Sequence, residues 1–317
     1  MQKCRWMVAP LFLVLVVPAF GQKDDEVLLE WKFAKDKTFY QEMKTKTDQT
    51  MKVSGTDVVQ NQEQTFWFSW TPKEEKDGSW IIEQEIIGVQ MKINIGGTTI
   101  EYDSRSESKS ANPLADFFKA LIGSKFKLTL SKDYKVTKVE GRDDFLKKLI
   151  AANPQMEGLL KQILSDEALK EMADPTFGVV QNKKVKKNDT WERKSELNMG
   201  PIGQYKNEFK YTFDGLDKDK IAKIKVDTTV KYIPPSESET AKSNLPFKIK
   251  SADLKSTKST GTILFDSGAG RVKSSDTTLD LKGKLDIEIS GQTTTVDLTQ
   301  TQSTKVTTTD KNPIEKK

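Results

Sequence analysis

Residues 277–290 constrain this chain more than any other stretch. Leu279, Leu281, Leu285, Ile287 and Ile289 fall on one face, with Gly283 in phase; Asp280, Lys282, Lys284, Asp286 and Glu288 line the other. A period of two held this long describes an antiparallel strand with one buried and one wet face. At roughly 3.3 Å per residue it reaches about 45 Å. Residues 80–95 repeat the pattern, with Ile87, Val89, Met91, Ile93 and Ile95 opposite Gly88, Gln90, Lys92 and Asn94. Earlier in that run the pairs Ile81-Ile82 and Ile86-Ile87 break the alternation, and Gly88 beside the break predicts a bulge or bend. Phe66, Phe68 and Trp70 share a face, with Trp67 opposite; so do Tyr205, Phe209, Tyr211 and Phe213, and Ile224, Val226, Thr228, Val230 and Tyr232. Residues 293–308 are threonine-rich and less apolar, which predicts an edge strand, and 234–246 has the composition of a surface loop.

Helical periodicity is confined to 112–174. Asn112-Pro113 reads as an N-cap followed by proline at the first helical position. Leu114, Phe117, Phe118, Leu121 and Ile122 then form one stripe, which Gly123 ends. A second helix is expected over 142–152, with Phe145, Leu146, Leu149 and Ile150 on its apolar side. A third carries Met156, Leu159, Leu160, Ile163 and Leu164. Ser165 caps a last short helix that Asp174-Pro175 ends, leaving 175–180 as a connection. Between the first two helices, Phe126, Leu128 and Leu130 precede the turn Asp133-Tyr134, which predicts a hairpin. The expected fold is mainly β (α+β): a large curved antiparallel sheet or half-barrel of long strands, with the helical insert packed on its apolar face. Residues 22–310 read as one β-rich domain, or as two tandem β-subdomains sharing the helices, with a disordered tail at 311–317. The helical stripes either pack solid on the sheet or cap an apolar cavity, in which case Phe117, Phe118, Leu121, Phe145, Leu149 and Leu160 are the candidate lining.

Lys3 and Arg5 precede an apolar run over 6–20, and Ala19 and Gly21 stand at the −3 and −1 positions of a cleavage site before Gln22. This is the pattern of a secretory signal peptide over 1–21 and predicts export to a periplasm or the cell exterior. No later run approaches the roughly 20 apolar residues of a spanning helix, so an integral membrane protein is not expected. The single cysteine, Cys4, precedes the apolar run, so the processed chain would hold no thiol or disulfide. Removing 1–21 takes two of the 51 basic residues and none of the 46 acidic ones, lowering the net charge from +5 to +3. The densest basic cluster, Lys183, Lys184, Lys186 and Lys187, has no aromatic platform beside it, so nucleic acid is not an expected partner.

The chain contains no histidine. That removes the commonest general base and metal ligand, and with them the Ser-His-Asp and Cys-His mechanisms. Gly268-Ala269-Gly270 lacks the helix and lysine of a phosphate loop. The carboxylate pairs Glu83 with Glu85 and Asp143 with Asp144 read as solvent-facing. No enzyme activity, cofactor or metal is expected. Phe66, Phe68, Trp70 and Trp80 read as core packing, with a sugar platform as the alternative.

The segment Val185-Lys186-Lys187-Asn188-Asp189-Thr190-Trp191 resembles the V-x-x-G-D-x-W element of exported bacterial β-sheet proteins, including families that are still domains of unknown function. Here Asn188 replaces the usual glycine, and asparagine tolerates the same left-handed backbone. Gly261-Thr262-Ile263-Leu264-Phe265-Asp266 followed by Gly270-Arg271-Val272 resembles the second element of such proteins. Both look like turn-and-strand devices. The long strands with a helical insert are also similar, in architecture alone, to the periplasmic lipoprotein-carrier half-barrel. The expectation is a non-enzymatic envelope protein. It would bind or carry an apolar or amphipathic ligand such as lipid, or serve as a structural or protein-interaction module among envelope proteins.

Overall fold

The computed structural model describes residues 26–106, 113–241 and 245–315. The proposed signal peptide, the Asn112 cap and the side chain of Leu114 lie outside what it describes. In chain order the strands and helices are β1 (Val27–Leu29), β2 (Phe39–Val53), β3 (Thr56–Lys76), β4 (Ser79–Ile95), β5 (Thr98–Asp103), α1 (Pro113–Leu121), β6 (Lys125–Leu130) and β7 (Val136–Glu140). There follow α2 (Arg142–Ala152), α3 (Glu157–Ile163), α4 (Asp166–Phe177), β8 (Lys183–Val185), β9 (Thr190–Asn198), β10 (Gln204–Leu216) and β11 (Ile221–Ile233). The chain ends with α5 (Glu237–Ala241), β12 (Lys248–Asp266), β13 (Arg271–Ile289) and β14 (Gln292–Thr309).

Twelve strands form one open antiparallel sheet in the order β7-β6-β4-β3-β2-β14-β13-β12-β11-β10-β9, with β5 added beside β4, and β1 and β8 pair separately. The period-two stretches are its long strands, as their patterning requires. The break near Gly88 is a bulge: Trp67 pairs with Gly88 and Phe68 with Ile86, leaving Ile87 as the extra residue. A Cβ at Gly88 would sit 3.0 Å from Ile314 Cδ1 and 3.1 Å from the Trp67 ring, so the glycine lets the chain end lie on the outer face. Of the tail at 311–317, residues 311–315 are described, with Ile314 half-buried there.

Two expectations are corrected. The threonine-rich strand β14 is not an edge. It pairs with β13 along one side and with β2 along the other, joining the two halves of the sheet. Threonine suits an edge by polarity, yet β-branched residues suit any pleated surface. Nor does Asp174-Pro175 end the last helix, which continues to Phe177 and is capped by Gly178 N–H donating to Asp174 O. Proline in a last turn forfeits one hydrogen bond. Here the extra turn buries Phe177 completely, against Trp31, Phe33 and Trp70.

Helix α4 shows that the sheet curls. It packs against β7 and β9, the two edges. Those strands stand ten steps apart in the order, about 48 Å in a flat sheet at roughly 4.8 Å per step. A helix of 12 residues is only about 18 Å long. The sheet therefore wraps into a half-barrel, and α4 bridges its opening. Both edges give α4 a backbone N–H: Val136 N donates to Asp174 Oδ1 at 2.8 Å, and Glu196 N to Glu171 Oε2 at 3.1 Å. Arg193 of β9 crosses the same gap and donates to the carbonyls of Gly178, Asp133 and Tyr134. One end of the half-barrel is plugged by aromatic side chains. Trp31 stacks on Phe33, and its Nε1 donates to Phe177 O at 3.0 Å.

Candidate functional site

Between the helices and the concave face lies a cavity of about 690 Å³. Small-molecule sites span roughly 300–1,000 Å³. The roof is mainly apolar: Leu121 of α1, Phe145 of α2, and Leu169, Met172, Ala173 and Pro175 of α4, with the hydroxyl of Thr176 among them. Met172 is 42% exposed while still lining the space, which puts it where the cavity meets solvent. Phe66, Phe68 and Trp70 continue the apolar wall along β3, because alternate residues of a strand share a face. Phe66 and Phe68 stack at 5.8 Å.

The floor differs. Strands β12, β13 and β14 contribute Ser259, Ser275, Thr277, Gln302 and Thr304, interspersed with Ile263, Val272, Leu279 and Val306. Register aligns them, since Thr277 pairs with Thr304 and Thr304 with Thr45 of β2. Thr45 Oγ1 and Thr304 Oγ1 share a hydrogen bond at 3.3 Å, and Gln41 Nε2 donates to Thr308 Oγ1 at 3.3 Å. A hydroxyl has one donor and two acceptor sites, so this strip keeps capacity to spare.

The cavity has 35 lining residues among those described, and none is charged, in a chain whose residues are 31% charged. The charged groups acting on Tyr211, a lining residue, are Arg193 and Asp174, and these face each other at 4.0 Å. Burial pushes the Tyr211 hydroxyl well above the ordinary tyrosine range. The carboxylate pairs lie elsewhere. Glu83 and Glu85 pair with Lys125 at 3.8 and 3.3 Å, and Asp143 and Asp144 are largely exposed. Among the described residues no group of three or more potential ligands could hold a metal ion, and no helix is long and apolar enough to cross a membrane.

Of the six residues that the helical stripes nominate, Leu121 and Phe145 line the cavity. Phe118 stacks on Tyr102 of β5, Phe117 packs edge-on to Phe118, and Leu149 and Leu160 are buried within the helical layer. The stripe marks the apolar side of a helix, whereas the cavity touches only part of it. The β3 aromatics carried a usable signal, since three on one face must meet something. The polar floor carried none, because serine, threonine and glutamine on a strand read as solvent-facing. The motif around Asn188 is a turn, as its composition suggests. Asn188 has φ 72°, Asp189 Oδ2 accepts from Lys186 N, and Trp191 Nε1 donates to Val179 O.

Residues 77–272 match the Family of unknown function (DUF6263), a stretch that contains both quoted motifs. The chain belongs to that family. No curated protein matches its sequence. Among solved structures, one titled for lipid–protein interactions in lipovitellin aligns with TM-score 0.42 and 11% identity over 90% of this chain and 27% of that one. This chain thus spans about a quarter of the lipovitellin chain. DynF from the dynemicin pathway of Micromonospora chersina aligns with TM-score 0.20 and 8% identity, covering 94% of this chain and 92% of that one. A DUF1329 family protein from Desulfovibrio piger gives TM-score 0.13 and 6% identity, covering 84% of each chain.

Proposed function

We propose that this family member binds or carries an apolar or amphipathic ligand in the cavity between its helices and its sheet, as an exported protein of the cell envelope. The observation that carries the reading is the cavity: about 690 Å³ roofed mainly by apolar side chains, held open where a structural module would be packed solid. Export is supported by the basic, apolar and small-residue pattern ahead of Gln22. Among the described residues that line the cavity there is no charged side chain to act as a base, which fits retention better than turnover.

The test is native mass spectrometry with solvent extraction on protein purified gently from an exporting host. A co-purifying apolar or amphipathic molecule, retained by the parent and lost from a folded Met172→Asp variant, would support the reading. A clean apo mass with nothing extractable would sink it.

A further inference from the structure

The cavity's most restrictive property is the kind of polar group it offers. Its lining residues supply hydroxyls and amides and no charge, among the described residues. This is not a matter of composition. Lysine and the carboxylates alternate with apolar or hydroxyl residues along the same strands, and register turns every charge outward. In β13 the side chains of Asp280, Lys282, Lys284 and Asp286 take the opposite phase to Thr277 and Leu279. In β14 Lys305 falls between Thr304 and Val306, both of which line the cavity.

A second observation points the same way. Among the described residues, Gln84, Gln302, Ser259 and Ser275 line the cavity without a side-chain hydrogen bond to another residue. They supply donors and acceptors together. Such a set suits a hydroxyl, carbonyl or amide, each of which is satisfied by neutral partners. A carboxylate, phosphate or ammonium would instead lose water without gaining a counter-ion. Arg193 and Asp174, the charges nearest in effect to Tyr211, are committed to each other and to backbone groups at the α4 opening.

From this we infer that the ligand is electrically neutral. It has an apolar body under α1, α2 and α4, and an uncharged hydroxyl, carbonyl or amide end on the strip formed by β12, β13, β14 and β2. Gln302 and Ser275 are the residues that select it. The inference rests on the ligand-binding reading and narrows it to neutral amphipaths, against fatty acids, phospholipid acids and cationic lipids.

The experiment compares three probes of matched chain length on the purified protein: a monoacylglycerol, the corresponding fatty acid ionised at neutral pH, and the corresponding alkylammonium. Binding is read by equilibrium competition. The monoacylglycerol is expected to bind at least about tenfold more tightly than either charged probe, since a site of unpaired polar groups discriminates by at least this much. In Gln302→Lys, and independently in Ser275→Lys, the fatty acid should gain at least about tenfold relative to the monoacylglycerol. Equal binding of a charged probe by the parent would overturn the neutrality inference while leaving ligand binding intact. A preference that neither folded lysine variant shifts would overturn the assignment of these residues. Failure of all three probes, together with an empty solvent extract, would remove the binding reading and this inference with it.

Discussion

The two halves of the sheet meet twice, and the two meetings are built differently. At the β14–β2 junction they are joined by main chain. Pairing runs without a register shift from Val296 opposite Val53 to Thr309 opposite Tyr40, and β14 continues into β13 with equal regularity. Across the α4 opening, the edges β7 and β9 are joined by side chains: Asp174 and Glu171 each accept from one backbone N–H, and Arg193 donates to three carbonyls. A ladder is cooperative, since breaking one pair strains its neighbours. A side-chain bridge is a handful of bonds, each worth a net ~1 kcal/mol. The cavity lies between a continuous main-chain junction and an opening that α4 bridges with side chains. Both are needed: continuous pairing sets the floor's register, and α4 holds Met172 where the cavity meets solvent.

The sharpest way to break this comparison is a proline in the junction. Ser303 is exposed on the outer face of β14 and pairs with Lys46 and Thr278. Ser303→Pro removes a ladder donor in a strand paired on both sides and should cost at least about 3 kcal/mol, read as loss of the cooperative urea transition or a large fall in its midpoint. An effect under 1 kcal/mol, by the same scale, would mean that β14 is not held as described.

Next in size is the opening. Asp174→Ala orphans Val136 N–H and unpairs Arg193, and should cost about 1–3 kcal/mol. Hydrogen exchange should then quicken at Val136 and through α4 while β14 stays protected, because the disturbance is confined to the bridge. Uniform acceleration across the sheet would count against an independent opening.

The smallest effect is at alkaline pH. Burial raises the folded-state pKa of Tyr211, near the opening, and of Tyr232, in the apolar cluster with Leu254, Leu281 and Leu298. An unfolded tyrosine loses its proton near pH 10, so stability from these groups is complete below about pH 10 and is lost as pH rises toward their folded values. Tyr211→Phe should flatten part of that decline. A parent whose stability is level from neutral to strongly alkaline pH would show that neither hydroxyl is held protonated by the fold.

Much of the framework was legible in the chain. The alternation over 279–289 lies within β13, the apolar stripe of 142–152 coincides with α2, and Ser165 caps α4 with its side chain accepting from Ala168 N. The site was legible only in part. Leu121 and Phe145 stood out as apolar helix positions, whereas Gln302, Thr304 and Ser275 looked like ordinary wet-face residues.

The amino-acid sequence by itself determined which residues share a face, where strands turn, and that the chain is mainly β with its longer helices in one insert; the short α5 lies in a stretch whose composition reads as loop. These are local consequences of side-chain period and backbone preference. Only the tertiary structure decided that β14 is central, that α4 spans both edges, and which face curves inward to hold a cavity. Period says that two sets of side chains point opposite ways. Which set meets the interior depends on pairing between strands as far apart in the chain as Tyr40 and Thr309, and no local pattern encodes that partner.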